Sequence, residues 1–198
     1  MVSYASQISF ISRFAKTHGL SLPPDFSLPT KGAGRRESLD ILLGEERNNY
    51  TDREKDEMAR EKNKIYRSLI ESMSSSDLAP GAFEILAYLR EKGIKIALGS
   101  SSKNAHAIIT KLGIEREFDE IVDGNSIKKG KPDPEVFIEA AKLLKVPNNN
   151  SLVIEDSIAG IMAARRGGFM TAFVSSLPIP GDVMIYAHSL SMLKNEIE

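Results

Sequence analysis

The stretch Ile94-Lys-Ile-Ala-Leu-Gly-Ser-Ser-Ser-Lys-Asn104 decides the fold of this chain. An apolar run of strand length passes into a polar turn, and beyond the turn Ile108, Ile109 and Leu112 recur at helical spacing. The same texture returns downstream. A short strand is predicted near Glu120–Val122. A helix opens at Asp133-Pro134, with Phe137, Ala140, Ala141 and Leu144 on one face; Asp133 suits its cap and Pro134 its first position. Leu152-Val-Ile154 reads as a buried strand, followed by a helix at Ser157–Arg166, a strand at Met170–Val174 and a last helix near Ser189–Ile197. Gly81–Lys92 supplies the helix that leads into the first of these strands. Short apolar strands alternating with helices imply a parallel sheet covered on both faces, a doubly wound α/β core.

Upstream of Pro80 the pattern is helical only. Ile8, Ile11, Phe14 and Ala15 give a helix over residues 3–18, stopped by Gly19, with no strand ahead of it. A loop with Pro23, Pro24 and Pro29 follows, then a short helix on Leu39, Leu42 and Leu43. A longer helix from Thr51 to Met73 alternates charges through DREKDEMAREKNK before turning apolar at Ile65, Leu69 and Ile70. Such charge-laced helices usually present a solvated face. The expected organisation is a helical cap over residues 1–78 and an α/β core over residues 79–198.

Composition narrows the class. The chain has 198 residues, no cysteine, and 26 basic against 27 acidic side chains. A disulfide scaffold, a thiolate metal site and a cysteine nucleophile are excluded, and a near-neutral chain lacks the electrostatic footprint of a general nucleic-acid binder. No apolar run approaches the ~18 residues of a membrane span, and MVSYASQISF lacks the basic start and apolar block expected of a signal peptide. The expectation is a soluble, cytoplasmic protein acting on a small molecule, with no nucleic-acid or membrane partner.

In open α/β sheets, ligands bind beyond the carboxyl ends of the strands. Three clusters occupy that edge. Ser100, Ser101, Ser102, Lys103 and Asn104 open a helix, where hydroxyls, free N–H groups and the helix dipole suit an anion, although simple N-capping by Ser101 or Ser102 explains the serines equally well. Lys131 stands in Gly130-Lys-Pro-Asp-Pro134, stiffened by two prolines, and a lone lysine there is ordinarily just solvated. Glu155 and Asp156 follow the strand Leu152–Ile154, where a hard cation would find oxygen ligands; Asp156 as a helix cap is the plain alternative.

Taken in order, hydroxyl, lysine and acidic pair resemble the second, third and fourth motifs of the haloacid dehalogenase superfamily. Leu98-Gly-Ser-Ser-Ser-Lys-Asn104, Gly130-Lys-Pro-Asp-Pro-Glu-Val-Phe137 and Ile154-Glu-Asp-Ser-Ile-Ala-Gly160 look like the core of its β-phosphoglucomutase subfamily. Lys31-Gly-Ala-Gly-Arg35-Arg-Glu-Ser38-Leu39 and Lys62-Asn63 look like its cap. The resemblance implies that Ser100 and Ser101 bind a transferring phosphoryl group, that Lys131 bridges it, and that Glu155 and Asp156 bind Mg²⁺. Ser102, Lys103 and Asn104, with Arg35 and its loop from Lys31, would hold the second, non-reacting end of a sugar phosphate. Arg36 competes with Arg35 for that role, and Lys62 and Ser38 are secondary candidates. His18, His106 and His188 match no motif and are expected at the surface.

The family pattern also begins with a buried central strand ending in Asp-x-Asp-Gly, whose carboxylates act as nucleophile and as general acid and base. Here the aspartates stand at 25, 40, 52, 56, 77, 119, 123, 133, 156 and 182, and no two are two apart. The strand is expected to belong directly upstream of Met1, between the strands at Ile94–Leu98 and Leu152–Ile154. Two consequences are expected: those neighbours lose a pairing partner, and Mg²⁺ binds weakly. The resemblance implies interconversion of β-D-glucose 1-phosphate and glucose 6-phosphate, with the polypeptide as written inactive. A small-molecule phosphatase and a non-catalytic phosphate-binding protein are the alternatives.

Overall fold

The computed structural model describes residues 4–22, 26, 30, 32–175 and 183–197. Lys31, the side chain of Ile8, Pro23, Pro24 and Pro29, and the tail positions Pro178, Pro180 and Gly181 lie outside the described residues.

The first part includes the helices α1 (Tyr4–His18), α2 (Arg35–Leu43) and α3 (Asp52–Glu71). Their apolar faces meet in one cluster of Ile11, Phe14, Leu39, Leu42, Leu43, Met58 and Ala59, with Phe14 and Leu39 fully buried. Gly19 ends α1 with a positive φ of 65°, where Leu20 N–H bonds back to the Ala15 carbonyl. Thr51 caps α3 by a reciprocal exchange with Glu54. The solvated face expected for α3 holds for most of its charges; Lys62 is the exception, only 6% exposed.

The core follows as α4 (Ala82–Glu91), β1 (Ala97–Gly99), α5 (Ala105–Lys111), β2 (Glu120–Val122), α6 (Glu135–Leu144), β3 (Leu152–Glu155), α7 (Ile158–Arg166), β4 (Met170–Val174), β5 (Ile185–Ala187) and α8 (Leu190–Ile197). All strand pairings are parallel. They fall into two sheets, β1-β2 and β3-β4-β5, and among the described residues β1 does not pair with β3. The break thus lies between the two strands expected to flank the family's first strand.

Hydrogen-bond alternation shows what the break leaves open. Ile96 and Ser100 bond toward β2, so the backbone groups of Ala97 and Gly99 aim the other way. Ser151 bonds toward β4, which turns Leu152 and Ile154 toward the same gap from the opposite side. Burial follows suit: β4, paired on both edges, buries Thr171, Ala172 and Phe173, whereas β3 buries only Val153.

Helices join the half-sheets across the break. On one face, α6 and α7 pack Val136, Phe137, Ala140, Ala163 and Ala164 against Val122 of β2 and Val153 of β3. On the other, α4 places Leu86 in the cluster around Leu98 and Ile109, and Ile85 in the cluster around Ala172 and Leu193. Among the described residues no helix is long and apolar enough to cross a membrane.

Several details correct the expectations. The strand expected at Ile94–Leu98 begins at Ala97, because Asp119 takes the Ile96 N–H with its side chain. Ser157, not Asp156, caps α7, accepting from Gly160 N–H at 3.0 Å. Asp133 does accept the Glu135 N–H, at 3.0 Å. The tail past Val174 carries β5, which the sequence reading left without structure; its Ala187 and the following Leu193 are buried core.

Candidate active site

The site gathers at the carboxyl ends of β1 and β3, and Lys131 is its centre. The residue is 5% exposed. Its ammonium donates to the Gly99 carbonyl at 3.1 Å, lies 4.6 Å from the centre of the Phe137 ring, and pairs with the Glu155 carboxylate. One cation therefore spans the break between the two sheets. Its backbone is held as well, by an N–H donated to Ser101 Oγ at 3.1 Å. This replaces the plain reading of a solvated lysine.

The serine run is a turn braced by its own hydroxyls. Ser100 Oγ accepts from Ser102 N–H and Ser102 Oγ from Asn104 N–H, both at 3.2 Å. Neither Ser101 nor Ser102 caps α5 by itself; its first position follows Asn104, which makes no side-chain cap. The loop after β2 props this turn. Asp123, 8% exposed, accepts from Asn125 N–H and Nδ2, and Asn125 Nδ2 also donates to the Lys103 carbonyl at 3.1 Å. The sequence reading missed Asp123 and Asn125, whose strand-end placement just after Val122 was the available signal. The Lys103 side chain is exposed.

The cap holds a second buried cation, Lys62. Lys62 donates to Ser38 Oγ, and Ser38 in turn donates to the Arg35 carbonyl at 3.1 Å. Burial, and then the neighbouring Arg35 guanidinium, push the Lys62 ammonium down to about 8. No carboxylate pairs with Lys62 or Arg35 among the described residues. Arg36 is the opposite case: it binds Asp52 at 2.8 Å and also Asp56, with Asp40 at 3.7 Å, and so ties α2 to α3. Those three carboxylates engage Arg36 and not Arg35. Ser38 is 9% exposed, and its hydroxyl is engaged on both sides, by Lys62 and by the Arg35 carbonyl.

Cap and core share an apolar cluster, in which Ile70 and Met73 meet Leu86 and Ile109, and an ion pair of Glu71 with Lys111 at 3.0 Å; two further contacts lie nearer the motif residues. Asn104 Nδ2 donates to Asn63 Oδ1 at 2.8 Å. Gly32, at φ 76°, lies so near α7 that a Cβ there would stand 2.7 Å from Ser157 Oγ; only glycine meets both conditions. A groove of about 450 Å³ lined by Arg13, Thr17, Glu61, Lys64, Ile65 and Ser68 lies between α1 and α3, and none of the motif residues lines it. Of the histidines, His106 and His188 are exposed, whereas His18 is partly covered beside Phe14 and Glu61.

The acidic pair does not fit Mg²⁺ in this arrangement. Glu155 Oε1 is taken by Lys131, and Oε2 accepts from Asp156 N–H, Ser157 N–H and Ser157 Oγ at 2.9–3.1 Å. Asp156 is exposed, and the described residues hold no group of three carboxylate or histidine ligands. A hard octahedral cation is poorly served by one engaged and one solvent-facing carboxylate.

Strand-end serines, a buried lysine and an acidic pair thus follow one another along the carboxyl edge of a parallel α/β sheet. Residues 6–168 match the haloacid dehalogenase-like hydrolase family, so the chain belongs to that family, and within it to the β-phosphoglucomutase subfamily. It is 40% identical over 152 residues to the β-phosphoglucomutase of Bacillus subtilis, covering 76% of this chain and 67% of that one. It is 30% identical over 189 residues to a phosphorylated carbohydrates phosphatase of Thermotoga maritima, covering 93% and 84%. The crystal structure of a β-phosphoglucomutase from Clostridium difficile superposes with a TM-score of 0.88 at 34% identity, over 98% of this chain and 87% of that one.

Proposed function

We propose that the chain carries the phosphosugar-holding part of a β-phosphoglucomutase-type site, acting on β-D-glucose 1-phosphate and glucose 6-phosphate. The observation that carries this reading is the pair of cationic positions from two lobes: Lys131 beside Ser100 and Ser101 in the core, and Lys62 beside Arg35 in the cap. The Asn63–Asn104 bond joins the helix that bears Lys62 to the serine turn against which Lys131 is held. A small molecule with an anionic group at one end and a sugar between suits such a divided site. Ser100 and Ser101 then hold oxygens of the phosphoryl group to be transferred, and Lys131 neutralises its charge. Arg35 offers a planar fork to the non-reacting end, with Ser102, Lys103 and Asn104 at the mouth of α5. The similarity to the Bacillus subtilis enzyme favours the mutase; the Thermotoga maritima relative favours a sugar phosphatase as the second reading. A cytoplasmic sugar phosphate accords with the composition.

Covalent phosphoryl transfer needs a carboxylate free to attack phosphorus and a proton carrier for the sugar hydroxyl. The sequence contains no Asp-x-Asp, and the one carboxylate beside Lys131 is bound to it. The 198-residue polypeptide is therefore expected to bind glucose 6-phosphate without turning it over. Incubation with β-D-glucose 1,6-bisphosphate followed by intact mass measurement should show no phospho-enzyme; a stoichiometric phosphate adduct overturns the reading. A polypeptide extended ahead of residue 1 by an apolar strand ending in Asp-x-Asp-Gly separates the two activities: isomerisation marks the mutase, phosphate release alone the phosphatase.

A further inference from the structure

The acidic end of β3 already has a cation. The Lys131–Glu155 pair is almost wholly enclosed, with side-chain exposures of 6% and 9%. Lys131 is held there from three further directions: the Gly99 carbonyl, the Phe137 ring and its own N–H on Ser101. Glu155 is held equally firmly. Its second oxygen accepts three hydrogen bonds from residues 156 and 157, and its carboxyl group lies against Gly160, where any Cβ would collide with it. Neither partner can turn away without breaking several contacts.

We propose that Lys131 is the resident counter-cation of Glu155 in this chain, and that it closes the acidic strand end to divalent metal. A metal ion at Glu155 would have to displace an ammonium group or sit beside it, with like charges in contact inside a buried site. Asp156, a single exposed carboxylate, supplies too few of the oxygen ligands a divalent ion needs to draw the metal past that barrier. The inference concerns charge pairing within the chain and holds whether or not the site transfers phosphate.

Mn²⁺ titration of the 198-residue chain, followed by the electron paramagnetic resonance of free Mn²⁺, tests it. The unaltered chain and Glu155→Gln should bind Mn²⁺ equally weakly, within twofold. Lys131→Met, which keeps the contact with Phe137 and removes the charge, should bind at least tenfold more tightly. A folded Lys131→Met chain that binds no better than the unaltered one overturns the proposal. If that variant does not fold, the first comparison decides: a tenfold loss in Glu155→Gln shows that Glu155 was open to metal and the proposal fails, whereas equal weak binding upholds it.

Discussion

Lys62→Met is expected to make the chain more stable and a worse binder of glucose 6-phosphate. The ammonium is buried, donates to Ser38 and is bonded to no carboxylate among the described residues, so in the free chain it is a charge taken out of water with little in return. Methionine matches the stem and removes that penalty, for a gain of about 1–3 kcal/mol in chemical denaturation. The same charge beside Arg35 is what an incoming phosphate would meet. Losing one charge-assisted contact, worth roughly 1.5–3 kcal/mol, weakens binding by about ten- to a hundredfold in titration calorimetry. Opposite signs on the two measurements are the signature of a group kept for binding. A variant that loses stability and keeps its affinity would show Lys62 to be part of the packing instead.

The pH dependence has a definite sign. Burial and Arg35 lower Lys62 to about 8, against an unfolded lysine near 10.4. Between those values the unfolded chain holds the proton and the folded chain does not, so the stability of the free chain rises with pH across that window. An anion favours the charged lysine. Glucose 6-phosphate affinity should therefore hold steady below pH 8 and fall above it, with proton uptake on binding near pH 8.5 visible as a dependence on buffer ionisation enthalpy.

Leu193→Ala is expected to cost about 2–5 kcal/mol, or roughly 10 °C of melting temperature. Leu193 is fully buried among Ile85, Ala172 and Ala187, with Leu152 and Ile154 of β3 packed against the same cluster. Among the described residues β3 pairs on one side only, and this apolar cluster packs α8 against the three-stranded sheet beside the β4–β5 ladder. Met192, next along the helix and 50% exposed, is the control: its alanine variant should stay within about 0.5 kcal/mol of the unaltered chain by thermal denaturation. Equal effects at the two positions would mean that the last helix is not docked.

The overall alternation of the core was legible because strand and helix periods are written locally. The order of serine, lysine and acidic pair was legible too, since each follows an apolar strand signal by a residue or two. β5 was not: Ile185-Tyr186-Ala187 is three residues long, and only its docking against β4 makes it a strand. The charge run in α3 hid the burial of Lys62, though not its candidacy, for a related reason. It sits on the buried face beside Met58 and Ala59, but its identity reads as solvent-exposed until Ser38 is seen opposite.

The sequence by itself determined that this is a parallel α/β core with a helical cap, that its strand ends carry a phosphate-type motif set, and that no Asp-x-Asp stands among its 198 residues. Those properties depend on spacing along one chain. Tertiary structure alone decided which charges face one another: Arg36 is bound by Asp40, Asp52 and Asp56 while Arg35 is not, and Lys131 lies across the break in the sheet against Glu155. Partners 24 residues apart in sequence become neighbours only when helices on both faces hold the two half-sheets together, so that the loop after β2 meets the end of β3, and at contact distance that arrangement sets the charge of the site.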